Sequence, residues 1–117
     1  MTTDGIEAVY LETHNWGKSA KFFRTLGYEL DFETDHNSGL LRNGSGPHLF
    51  VAEVSEDAPT GMQIVLRAAA ASVQLDPVVE VVSALATTHH GGEEMTVRDP
   101  DGRDWIIQVP PGLENAR

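Results

Sequence analysis

Cysteine is absent from these 117 residues, which excludes disulfide cross-links, thiolate metal sites and cysteine nucleophiles together. Any metal would have to be held by His, Asp or Glu. Basic residues are scarce: 8 Lys and Arg stand against 18 Asp and Glu, for a formal charge of −10. That balance repels phosphate backbones and anionic headgroups, so neither nucleic acid nor a membrane surface is expected as a partner, while a cationic ligand stays compatible. Long apolar runs are missing too. No window approaches the roughly 18 residues of a membrane span, and the opening MTTDGIEAVYLE has no basic n-region. A soluble, cytoplasmic protein is the expectation. Gly44-Ser45-Gly46 lacks the Lys and the following helix of a phosphate loop, and no serine-hydrolase elbow occurs. His14, His36, His89 and His90 fall in turns or loops, where a solvated imidazole is the default.

What is present is a 40% hydrophobic chain, long enough to bury a core as one domain spanning residues 1–117. Its clearest local signal lies near the end. In VRDPDGRDWIIQV, Pro100 fixes φ, Asp99 and Asp101 have side chains able to bond back to the backbone, and Gly102 accepts positive φ, so a turn joins two strands. Alternation puts Trp105, Ile107 and Val109 on one face of the second strand and Ile106 and Gln108 on the other.

From the start, Ile6 to Thr13 alternates as a strand, with Ala8, Tyr10 and Glu12 on one side. Asn15 caps a helix over residues 16–26 whose apolar stripe reads Ser19, Phe22, Phe23 and Leu26, and Gly27 ends it. Strands follow over Tyr28–Glu33, Gly39–Arg42 and His48–Val54, separated by turn clusters. A polar Pro/Gly-bearing linker, residues 55–60, precedes a strand at Met62–Arg67. Asp76-Pro77 then reads as an N-cap with proline at the first helical position, opening a second helix to about residue 85 or 86. Thr87 to Gly92 reads as loop with at most a very short strand.

The halves repeat. Leu41–Val51 aligns without a gap under Val97–Ile107, and Tyr10-Leu11-Glu12 falls under Val65-Leu66-Arg67 at a one-residue shift, so the chain reads as two β-α-β-β-β modules, residues 5–54 and 61–110.

Asn15 to Leu30 (NWGKSAKFFRTLGYEL), the medial HLFVAEV and the closing GGEEMTVRDPDGRDWII together resemble the vicinal oxygen chelate superfamily, which includes glyoxalase I, bleomycin-resistance proteins and extradiol dioxygenases. The likeness runs from Ile6 to Val109. It implies an α+β fold in which paired β-α-β-β-β modules form a curved mixed sheet around a cleft, usually in a homodimer or a domain-swapped dimer. In metal-using members, ligands sit near the start of the first strand and in the last strand of each module. Carried onto this sequence those positions are Ala8, Phe50, Gln63 and Ile106, and only Gln63 offers even a weak donor. No metal and no other cofactor is therefore expected, in the manner of the bleomycin-resistance branch.

The cleft face offers ligand-binding candidates instead: Tyr10 and Phe50 to stack on a planar compound, Glu12, His48, Gln63, Arg67 and Gln108 to orient it, and Ile106 as apolar wall. The expected function is small-molecule binding, with sequestration of a planar or cationic compound in a homodimer. Two enzymatic alternatives stay open. One is a lyase, isomerase or dioxygenase of the same superfamily with a displaced metal site using Glu12, His48 and a loop histidine; the other is metal-free catalysis with Glu12 or His48 as general acid or base.

Overall fold

The computed structural model describes residues 3–69, 75–88 and 92–110. The chain divides into two compact units, residues 8–63 and the remainder, residues 1–7 with 64–117.

In the unit of residues 8–63 the order is β1 (Thr3–Thr13), α1 (Trp16–Thr25), β2 (Glu29–Glu33), β3 (Ser38–Arg42) and β4 (His48–Glu53). The strands lie in the order β2-β3-β4-β1, with β1 parallel to β4 and the other pairs antiparallel. Helix α1 starts where expected: the Asn15 side chain accepts from the Lys18 backbone N–H at 2.9 Å. It ends in a two-bond αL cap, with Gly27 N–H on Arg24 O and Tyr28 N–H on Phe23 O, both 3.1 Å, and Gly27 at φ +102°. The Phe23 and Tyr28 rings meet edge-on at 5.9 Å, the apolar contact that accompanies such a cap.

The inward stripe of α1 differs from the expected one. Trp16 is buried, and Ala20 and Phe23 pack with it on Leu41, Leu49 and Val51, whereas Phe22 and Leu26 are 59% and 58% exposed. The helix is rotated by the demands of Trp16. Its indole lies so close to Gly39 that a Cβ there would stand 2.6 Å from the ring, its Nε1–H bonds to Glu33 Oε2, and its backbone N–H bonds to Glu53 Oε1 at 2.8 Å.

The other unit holds β5 (Met62–Ala68), β6 (Glu80–Thr87), β7 (Glu93–Arg98) and β8 (Asp104–Val109), in the order β5-β8-β7-β6 with β5 parallel to β8. Its core is Ala68, Met95, Val97, Ile107 and Val109, with Trp105 packed against it. The second expected helix is a correction. Asp76-Pro77 opens a turn, in which Asp76 accepts from the backbone N–H groups of Val78 (2.9 Å, side chain) and Val79 (2.9 Å, carbonyl). From Glu80 the chain is strand β6, antiparallel to β7. The run Val78, Val79, Val81, Val82 is rich in β-branched residues whose χ1 restriction favours a sheet over a helix. Strand β6 therefore lies ahead of the segment read as loop from Thr87 to Gly92 and ends at Thr87. His89, His90, the alanine-rich stretch at 70–74 and the Pro111-Gly112 tail fall outside the described residues.

The repeat is visible in register. Tyr10 faces Phe50 and Leu11 faces Val51 in one unit, and Val65 faces Ile106 and Leu66 faces Ile107 in the other, the same pairs the sequence alignment sets under one another.

Candidate functional site

In the unit of residues 8–63, α1 covers one side of the strands, the side of Leu41, Leu49 and Val51. Alternation sends Ala8, Tyr10 and Glu12 to the opposite side, level with His48, Phe50 and Ala52 of β4. Register then extends the middle of that side into a row across all four strands: Phe32 faces Leu40, Leu40 faces Phe50, and Phe50 faces Tyr10. A register shift between Leu30 and Phe32 turns Phe32 to this side while leaving Leu30 and Glu33 on the helix side. The Tyr10 and Phe50 rings have centroids 6.0 Å apart and planes within 12° of parallel. Burial raises the Tyr10 phenol above its ordinary pKa, with the Glu12 charge adding to the effect.

Polar groups stand beyond this row in both directions along the strands. At one end Asp31 holds Arg42 (Oδ2 to Nε, 3.0 Å) and Arg42 Nη1 meets His48 Nε2 at 2.7 Å. A guanidinium can only donate, so in this contact Nε2 accepts, which leaves Nδ1 as the ring's donor. At the other end the Glu12 carboxylate accepts from the Gly61 backbone N–H at 2.9 Å while Glu12 N–H donates to Gly61 O, also 2.9 Å. Glu12 thus ties the linker to β1.

Glu12 and His48 do not come together. Glu12 is level with Ala52 and His48 with Ala8, a separation of four residues or about 13 Å along the strands, too far to share one metal ion. Acid–base chemistry through them as a pair has no geometric support.

In the other unit Val65, Ile106 and Thr96 are level, and so are Arg67, Gln108 and Glu94. Arg67 pairs with Glu7 at 3.5 Å and Gln108 Nε2 reaches Glu94 Oε1 at 3.5 Å. Gln63 is half-buried near the start of β5. The side chains at Ala8, Phe50, Gln63 and Ile106 do not fit a divalent metal, because a methyl, a phenyl, an amide and a sec-butyl group supply no anionic or imidazole donor. Among the described residues no group of three or more His, Asp or Glu gathers at metal-binding distance.

Alternation in the sequence places Tyr10, Phe50 and His48 on this one side, as the register does, but the expected set leaves out Phe32, Leu40 and the Asp31–Arg42 pair. Leu40 was within reach by alternation in Gly39–Arg42; Phe32 was hidden because a bulge resets the alternation.

No family model and no curated protein matches the chain. Solved structures do. A glyoxalase/bleomycin resistance protein/dioxygenase superfamily member from Vibrio splendidus 12B01 superposes with a TM-score of 0.65 at 17% identity, over 88% of this chain and 97% of that one. An NAD-dependent benzaldehyde dehydrogenase from Legionella pneumophila gives 0.61 at 14% identity, over 87% and 96%. The Mn(II)-bound glyoxalase from Novosphingobium aromaticivorans gives 0.63 at 17% identity over 92% of this chain, which spans only 39% of that protein. Names so different on similar backbones leave the activity to the site. The fold of this chain is that of the glyoxalase/bleomycin resistance protein/dioxygenase superfamily.

Proposed function

We propose that this protein binds a small planar compound, as a glyoxalase/bleomycin-resistance-type binding protein that needs no metal. The observation that carries the proposal is the Phe32–Leu40–Phe50–Tyr10 row, an apolar and aromatic strip on the side of the strands that α1 leaves uncovered. The Tyr10 and Phe50 rings are stacked with their planes near parallel, an arrangement that a planar ligand can extend. With Nε2 taken by Arg42, His48 adds a donor at Nδ1, which suits a ring carbonyl or ring nitrogen at the ligand's edge. The net charge of −10 favours a cationic compound over an anionic one.

Titration with an acridinium cation, followed by thermal shift and by amide chemical shifts, tests the reading. Binding should raise Tm and perturb β1 and β4, and Tyr10→Ala with Phe50→Ala should weaken it roughly tenfold or more, given about 1–3 kcal/mol per stacked ring. Unchanged affinity in that double variant, or perturbations confined to other strands, would remove the strip from consideration.

A further inference from the structure

We infer that the groove between α1 and β2 is a second binding site, one that takes a small apolar carboxylate. The groove is open to solvent, measures about 730 Å³ and is lined by Trp16, Ala20, Lys21, Arg24, Leu30 and Glu33, among others. That volume is within the usual range of small-molecule sites, about 300–1,000 Å³. It lies on the helix side of the strands, the opposite side from the Tyr10–Phe50 strip, so the two sites are separate.

The chemistry of the ligand follows from which charges are already used. Arg42 is paired with Asp31, Arg67 with Glu7, Arg98 with Glu80 and Asp104, and Arg103 with Asp99 and Asp101. In a chain with 18 acidic side chains, pairing of arginine is the rule. The three cations of α1, Lys18, Lys21 and Arg24, make no ion pair with a described residue, and of these Lys21 and Arg24 line the groove. They stand at i and i+3 on the helix and so on one flank of it, with Ala20, Leu30 and the edge of Trp16 beneath.

The one carboxylate in the groove, Glu33, is bonded to the Trp16 indole N–H. It leaves the two cations free and repels an anion from its own end. A ligand with an apolar body and a single carboxylate is oriented by this arrangement, its body against Ala20 and Leu30 and its anion at Lys21 and Arg24. The molecule's net charge repels anions in general, so the affinity must come from this local pair and should fall with added salt.

The test is a titration of the whole protein with 2-naphthoate against its neutral analogue 2-naphthamide, read at the Trp16 indole N–H resonance. Naphthoate should bind and shift that resonance, and the amide should bind roughly tenfold more weakly, the scale of two partly exposed ion pairs. A Lys21→Glu/Arg24→Glu variant, altered only at exposed positions, should keep the parent's amide spectrum away from the groove, at a Tm lowered by the added negative charge, and lose a similar factor or more for naphthoate. A Lys21→Arg/Arg24→Lys variant should retain binding. The Tyr10→Ala/Phe50→Ala variant should bind naphthoate as the parent does, which separates this proposal from the one above. Equal affinity for acid and amide, indifference to the charge reversal, shifts centred on Tyr10 and Phe50, or no binding up to the solubility limit would each overturn it.

Discussion

At the scale of single residues, Asp99 organises more of the closing hairpin than its place in a surface turn suggests. Its carboxylate accepts from the Trp105 indole N–H at 2.9 Å, the Arg103 N–H at 3.0 Å, the Arg103 guanidinium at 2.9 Å and the Asp101 N–H at 2.9 Å. These donors, the indole foremost, hold it well below the ordinary carboxylate value of 3.8. A depressed folded pKa means that the charged form stabilises the fold at pH values above the ordinary one, and that this contribution is lost as pH falls below 3.8 toward the folded value. Asp99→Asn should therefore melt below the parent at neutral pH, with the gap narrowing in acid; a gap independent of pH would show that the carboxylate charge is not what matters. Gly39 is constrained differently. A Cβ there would lie 2.6 Å from the Trp16 ring and 2.8 Å from Phe32 O, closer than side-chain repacking can relieve, because one of the neighbours is backbone. Gly39→Ala should cost about 1–3 kcal/mol in denaturant titration, and a neutral substitution would mean that Trp16 moves freely.

At the scale of elements, strands with a clear signal in the sequence are found within three residues of their expected bounds, β1 starting at Thr3 rather than Ile6, and α1 starts and stops where Asn15 and Gly27 dictate. Gly27 sits at φ +102° with only the Asn43 side chain near its missing Cβ, at 3.6 Å, so Gly27→Ala should cost about 1–2 kcal/mol from backbone strain alone. What was not legible was β6. Asp76-Pro77 is equally good chemistry for a helix start and for a turn, and local residues do not decide between them. Pairing does: Glu80 faces Arg98 and Val81 faces Val97, and Arg98 reaches the Glu80 carboxylate at 3.3 Å. The rotation of α1 was hidden for a related reason, since Phe22 and Leu26 look as apolar as Phe23 until Trp16 finds its seat on Gly39. Backbone chemical shifts check the strand directly. Residues 80–87 should show β-type Cα and Cβ shifts, with slow amide exchange on the residues bonded to β7 and fast exchange on those between; uniform protection with helical shifts would restore the second helix.

At the scale of the whole molecule, the same four-strand order appears twice, β2-β3-β4-β1 and β6-β7-β8-β5, and equivalent positions carry different chemistry. Where one unit has Tyr10 beside Phe50, the other has Val65 beside Ile106. The candidate strip was legible in part because alternation alone sorts faces, and Tyr10, His48 and Phe50 follow from it. Its polar ends were not, because Arg42 reaching His48 and Glu12 reaching Gly61 depend on which strands become neighbours. Charge, by contrast, is legible from composition, and both units are net acidic. At neutral pH, far above the isoelectric point of about 4.7, self-repulsion opposes compaction. Salt also weakens the surface ion pairs, but those are worth at most about 1 kcal/mol each and sit at short range, where screening acts least. Repulsion among the surplus carboxylates acts over longer distances and is lost first as the screening length contracts toward about 8 Å at physiological ionic strength. Raising sodium chloride from low to physiological concentration should therefore raise Tm by several degrees, the equivalent of roughly 1 kcal/mol for a domain of this size. An uncharged osmolyte at equal osmolality should do less, and a fall in Tm with salt would mean that the ion pairs, rather than the net charge, dominate the electrostatics of the fold.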